Sequence, residues 1–123
     1  MSASRHYDAV AFDVRDNAAM LFFARTTPTG DIEDYVLVMR TSGEEFDDTL
    51  FLEVNEIQFA GNELIREATM SENMLTLHFA NPVSELGNAS ELVLTFDATA
   101  GNKTSMETGA FRVLGEKLSG GHA

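Results

Sequence analysis

The chain has 123 residues, 44% of them apolar, no cysteine, and 20 acidic against 8 basic residues, for a formal net charge of -12. That length fits one domain, 1-123, with its own core, and the lack of cysteine excludes a disulfide framework, a thiolate nucleophile and cysteine-bearing metal sites. A field this negative repels phosphate backbones and anionic headgroups, so direct binding to nucleic acid or membrane is not expected, whereas a basic protein is attracted to it.

The first eight residues lack the apolar run of a secretory signal, and nowhere do about 18 uninterrupted apolar residues occur to span a bilayer. The expectation is a soluble, cytoplasmic protein with loose ends at about residues 1-6 and 119-123. Alternation of period 2 begins at Val10, Phe12 and Val14, set against Ala11, Asp13 and Arg15, and predicts a half-buried strand. Asp16-Asn17 turns the chain into Ala18 to Thr26, where Met20 and Phe22 alternate with Leu21 and Phe23. Both faces of that strand are apolar, which predicts a central or sandwiched position. Thr27 to Asp31 has turn chemistry, and Tyr35 to Arg40 follows as a third strand.

After the acidic connection Thr41 to Asp48, Thr49 to Glu56 alternates again, with Leu50, Leu52 and Val54 on one side, and Ile57 and Phe59 prolong the apolar pattern. Leu64 to Met70 and Asn73 to Phe79 read as a hairpin across Ser71 to Asn73. Asn81-Pro82 has the form of a helix N-cap followed by proline at the first helical position, with Gly87 as a stop, and predicts one helical turn over Pro82 to Leu86. Glu91 to Asp97 is a further strand with Leu92, Leu94 and Phe96 inward. The period then changes. Met106, Ala110, Val113, Leu114 and Leu118 share one helical face, so Lys103 to Leu118 reads as an amphipathic helix. Gly109 and Gly115 oppose this by about 1 kcal/mol each, and Phe111 to Leu114 as a short last strand is the alternative. The class is α+β, mostly β: an antiparallel sheet of about six to seven strands, a short helical turn, and a C-terminal helix packed on the sheet.

No catalytic or metal constellation stands out. His6 and His122 lie in the expected loose ends, and His78 is alone in a strand without metal-ligand spacing. Glu44-Glu45-Phe46-Asp47-Asp48 lacks the alternating ligands and central glycine of a calcium loop. Neither a phosphate-binding glycine loop nor a serine-hydrolase elbow occurs. No cofactor and no enzymatic activity are expected. The phenylalanines read as core, with a small-molecule pocket as the alternative. Acidic charge is concentrated: Asp31 to Glu72 holds twelve acids and, as bases, only Arg40 and Arg66.

Tyr35-Val-Leu-Val-Met-Arg40, the acidic connection, and Leu50-Phe-Leu-Glu53-Val-Asn55-Glu-Ile-Gln58 together resemble the bacterial Immunity protein 10 family. The paired blocks Ile65 to Phe79, then Glu85-Leu-Gly87 and Leu92-Val-Leu-Thr-Phe96, are similar to that family's later strands, so the resemblance covers roughly Tyr35 to Phe96. Where the family carries a glycine- and tyrosine-rich stretch, this chain has Phe59 to Glu63. The resemblance implies a cytosolic inhibitor from a polymorphic toxin system that binds a cognate toxin domain and covers its active site without chemistry of its own. Many such toxins act on nucleic acids and present basic clefts. The acids Glu44, Glu45, Asp47, Asp48, Glu53 and Glu56 are therefore the candidate partner-binding residues, as phosphate mimics that steer association. Tyr35, Phe46 and Arg40 are the candidate anchors. Two other readings stay open: a small-molecule-binding β domain, and a structural or regulatory homodimer paired through an exposed sheet edge.

Overall fold

Burial follows the alternation along most strands, as a computed structural model of the chain shows for residues 2-15, 17-43, 46-61 and 64-118, with the backbone alone for residues 2, 42-43 and 46-48. Nine strands form among these residues: β1 (Ser2–Tyr7), β2 (Ala9–Arg15), β3 (Ala18–Thr26), β4 (Ile32–Gly43), β5 (Phe46–Val54), β6 (Ile57–Ala60), β7 (Ile65–Ser71), β8 (Met74–Val83) and β9 (Ala89–Phe96). A single-turn 3-10 helix, Ser84–Leu86, joins β8 to β9. The helix α1 (Ala100–Leu114) and a second 3-10 turn, Gly115–Lys117, follow.

The α+β, mostly β class with a C-terminal helix is the class the pattern predicts. The strands divide between two sheets, in the orders β1-β9-β8-β7 and β2-β3-β4-β5-β6, where six or seven strands in one sheet were expected. Two strands without an alternating signal make up the difference. Ser2–Tyr7, expected as a loose end, is β1 and pairs parallel with β9, from Ser2 opposite Glu91 to Tyr7 opposite Phe96. The other is β6, which folds back on β5 through a two-residue turn at Asn55 and Glu56, both at positive φ (47° and 74°). Positive φ at both central residues is the hairpin turn whose twist matches the flanking strands.

The predicted hairpin at Ser71 to Asn73 is present as β7 and β8, paired from Ser71–Met74 to Ile65–Phe79. The helical turn differs in its start. Asn81 and Pro82 remain in β8, at an irregularity where the β8–β9 register jumps from His78–Glu91 to Val83–Ala89, and Gly87 stops the 3-10 turn at φ 69°. Proline is tolerated there because the ladder is already interrupted.

The two sheets and α1 share one apolar core. Phe23 of β3 meets Tyr7 of β1 and Phe96 of β9 there, its ring centroid 6.1 Å from each of theirs, and all three are fully buried. Each such ring or leucine contributes about 1.5-3 kcal/mol by leaving water. Met106, Ala110, Val113 and Leu114 pack α1 against the same core, and Arg112 lies over the Phe12 ring at 5.9 Å. Thr99 caps the helix, its hydroxyl accepting the Asn102 N–H at 3.1 Å. The glycine that argued against a helix is what lets α1 approach β3. A Cβ at Gly109 would lie 2.6 Å from Leu21 Cδ1.

The seam between the sheets holds one buried carboxylate. Asp34 on β4, 6% exposed, accepts from Arg5 Nη1 (3.0 Å), Arg25 Nη2 (3.0 Å), Asn55 Nδ2 (2.8 Å) and Tyr7 Oη (3.3 Å). With both oxygens occupied, its burial is compensated. Desolvation, and next the Asp34 charge, push the Tyr7 phenol well above its ordinary value.

Candidate functional site

Among the described residues α1 and the four-stranded sheet cover one face of the five-stranded sheet, and the opposite face is left at the surface. Strand register places Met20 beside Met39 and Phe22 beside Leu37, then Met39 beside Phe51 and Leu37 beside Glu53, with Ala60 and Gln58 completing the rows on β6. Met20, Phe22, Tyr35, Leu37, Met39 and Phe51 are all half-buried, where their neighbours Leu21, Phe23, Val36, Val38 and Leu52 are fully buried. Phe22 and Tyr35 stack with centroids 5.6 Å apart and planes 27° from parallel. A recess of about 400 Å³ opens here, lined by Leu37, Met39, Phe51, Leu52, Glu53, Gln58, Phe59 and Ala60.

A polar group closes one end of this apolar face. The Tyr35 hydroxyl donates to the Glu53 carboxylate and accepts the Glu56 N–H at 3.0 Å, and Gln58 Nε2 donates to Glu53 Oε1 at 2.8 Å. The bond to Glu53 raises the Tyr35 phenol above its ordinary value, with desolvation adding to it. The β5–β6 turn sets this geometry. Asn55 Oδ1 accepts the Tyr35 N–H at 2.8 Å while Asn55 Nδ2 reaches Asp34, tying the turn to the intersheet cluster. The group offers the Glu53 carboxylate, with the Glu56 charge near enough to act on the same phenol, and is suited to receiving a lysine or arginine side chain.

Of the acids predicted to bind a partner, Glu53 lines the recess, and Glu56 joins the group at its end through its backbone N–H to the Tyr35 hydroxyl. Asp47 and Asp48 lie in β5, but their side chains fall outside the described residues, as do Glu44 and Glu45 altogether. Of the candidate anchors, Tyr35 is in the site, and the Phe46 side chain is outside the described residues. Arg40 does not belong to the site: it points to the inner side of the sheet, where Nε donates to Val113 O at 2.6 Å and Nη2 to Leu114 O at 3.4 Å. Those carbonyls are the unsatisfied negative end of α1, which explains where the guanidinium goes. Sequence reasoning placed Met20 and Phe22 in a sandwiched strand, from the apolar content of both faces of Ala18 to Thr26, and read Phe51 as core; it gave Leu37 and Met39 no side.

A second constellation lies on β1 and β9. His6 Nδ1 is 2.8 Å from Thr95 Oγ1 and Nε2 is 2.9 Å from Asp97 Oδ1, so a hydroxyl, an imidazole and a carboxylate stand in line. His78 pairs with Glu91 at 3.6 Å. The first group has the membership of a nucleophile-base-orienter set. It is exposed, however, and neither the recess above nor a smaller one of about 240 Å³ beside Pro82 includes any of its three residues. Among the described residues no group of three or more His, Asp or Glu side chains could hold a metal ion.

No protein-family model matches this chain, and no curated protein matches it.

Proposed function

We propose that this chain is a non-catalytic binding protein that docks a basic protein partner on the outer face of its five-stranded sheet, and that it serves as an immunity protein covering the active site of a cognate toxin domain. The observation that carries the binding reading is the continuous apolar face of Met20, Phe22, Leu37, Met39 and Phe51, ended by Tyr35, Glu53 and Glu56. An apolar patch rimmed by polar groups has the anatomy of an interface, with aromatic anchors inside a charged border. A net charge of -12 favours encounter with a positively charged partner. The toxin as partner rests on the resemblance of Tyr35 to Phe96 to the Immunity protein 10 family, whose blocks coincide with β4, β5, β7, β8 and β9.

The test is purification of the tagged chain from its host at low and high salt, beside a Phe22→Glu, Leu37→Glu variant. A stoichiometric basic protein held by the parent chain, inhibited by it and lost from the variant, is the expected result. Recovery of the parent alone, or a partner retained equally by both chains, would sink the reading. A second reading has its own observation, the recess of about 400 Å³, whose size falls in the range of small-ligand sites. A small apolar molecule retained in native mass spectra and displaced by Leu37→Trp would favour it instead.

A further inference from the structure

β6 is the last strand of its sheet, and among the described residues no strand pairs with its outer edge. The two-residue turn makes Val54 and Ile57 the closing hydrogen-bonded pair, so ladder alternation aims the N–H groups of Ile57 and Phe59 at β5. Gly61 continues the series, its N–H donating to Leu50 O at 3.0 Å. The N–H and C=O groups of Gln58 and Ala60 therefore point away from the sheet, and among the described residues none has a hydrogen-bond partner. Two other edges are blocked. On β2, Val10 N–H donates to Asn102 Oδ1 at 3.0 Å and Val14 N–H to Asp13 Oδ1 at 2.9 Å, while Leu118 bridges to Ala68 on β7. Sheet edges are commonly protected in this way.

The open edge runs between two recesses. The larger, on the outer face, is bounded by Phe51, Glu53 and Ala60, the smaller by Leu64, Pro82 and Glu85, and Phe59 lines both. Successive side chains of a strand point to opposite faces, so a strand laid along Gln58 and Ala60 delivers its side chains to the two recesses in turn. The larger recess is mainly apolar, with Glu53 and Gln58 at its side, and the smaller sets Phe59, Leu64 and Val83 beside Asn81, Ser84 and Glu85; among the described residues neither is lined by lysine or arginine.

We propose that the β6 edge takes an extended segment of a basic protein partner as an added strand, with apolar side chains in the two recesses and lysine or arginine side chains at Glu53 and Glu85. The proposal rests on the reading of the chain as a binder of a basic partner and specifies a backbone ladder beside the apolar face. A second copy of the chain fits this edge poorly, because two-fold pairing gathers Glu53, Glu56 and Glu85 of both copies at one seam.

Panning a display library of random short linear peptides on the intact chain, with an Ala60→Pro chain as counter-target, tests this. Proline keeps an extended φ and removes the outward N–H. Enriched peptides should alternate basic and apolar residues and bind the parent at least about tenfold tighter than the proline variant, the effect of one hydrogen bond and an obstructed edge. They should also slow exchange of the Gln58 and Ala60 amide protons, and lose a similar factor when N-methylated at alternate amides. That last comparison uses the unaltered chain and holds even where proline disturbs the fold. Failure to enrich, or peptides indifferent to N-methylation, overturns the proposal. Peptides indifferent to Ala60→Pro but lost with Phe22→Glu overturn strand addition alone and leave face docking standing. A concentration-dependent dimer abolished by Ala60→Pro assigns the edge to a second copy and also overturns it.

Discussion

Arg40 donates through Nε to the carbonyl oxygen of Val113 at 2.6 Å, so a side chain from the middle of β4 closes the C-terminal end of α1. The Glu116 carboxylate, 3.6 Å from Nη2, adds the ion pair that accompanies it. Sheet and helix are thereby joined by a charged hydrogen bond as well as by the core.

Arg40→Ala should lower unfolding free energy by about 2 kcal/mol, since it leaves carbonyls at the negative end of the helix without their charged donor. Arg40→Lys should recover only part, because an ammonium cannot reproduce the fork that reaches two carbonyls. Denaturant titration of the three chains measures this; equal midpoints for Ala and parent would remove Arg40 from the account of helix docking.

Gly109 and Gly101 both lie in α1 and should respond to alanine with opposite sign. Gly101→Ala meets open space and should stabilise the fold by about 0.5-1 kcal/mol through helix propensity. At Gly109 the same methyl meets Leu21 Cδ1 at 2.6 Å and Phe12 Cδ1 at 3.1 Å, and Leu21 is fully buried. The overpacking should outweigh propensity and destabilise by about 1-2 kcal/mol. Thermal melts of the two variants give the comparison directly.

The Tyr7 phenol, held above its ordinary value by burial and by Asp34, makes stability depend on alkaline pH. Its contribution is fully present below the unfolded value of about 10 and is lost as pH rises toward the higher folded value. Between the two values the unfolded chain has released a proton that the folded one retains. Tyr7→Phe should flatten this part of the stability curve, measured by urea unfolding across the alkaline range; an unchanged slope would assign it to other groups.

Glu56 occupies a backbone conformation at φ 74° that glycine adopts more readily. Glu56→Gly should raise stability by about 1 kcal/mol while keeping the backbone N–H that Tyr35 accepts. It should also lower the association rate with a basic partner and weaken the salt dependence of that rate. A chain more stable and slower to bind separates the two roles of this turn; unchanged association kinetics would remove Glu56 from the partner-binding set.

The strands with a buried side were legible because alternation records burial: Leu50, Leu52 and Val54, then Leu75, Leu77 and Phe79, then Leu92, Leu94 and Phe96 all face the core. The helix was legible through Met106, Ala110, Val113 and Leu114. β1 was not, since SASRHY has only Tyr7 as a large apolar residue. Its order comes from backbone pairing with β9 and from Arg5 at Asp34, contacts with residues far away in the chain. The Asn55-Glu56 turn lacks the glycine that marks such hairpins, so β6 read as a continuation of β5. Asn81-Pro82 carried a helix-start signal that the interrupted β8–β9 ladder overrode. At the candidate site, Glu53, Glu56 and Tyr35 were visible as charge and aromatic character. The apolar face beside them was not, because composition cannot say which of a strand's two apolar sides another layer will cover.

The parallel pairing of β1 with β9 also imposes an order of events during synthesis. His6 and Thr95, partners in that ladder, are 89 residues apart, so β1 must wait for β9 before its neighbour exists. The hairpins β2-β3, β3-β4, β4-β5, β5-β6 and β7-β8 close locally and early, whereas the core around Tyr7, Phe23 and Phe96 closes only when β1 meets β9. Long-range closure of this kind is slow compared with hairpin formation. The nascent chain thus carries an uncommitted β1 until β9 has been made, the interval in which it is most open to a chaperone or to misassembly.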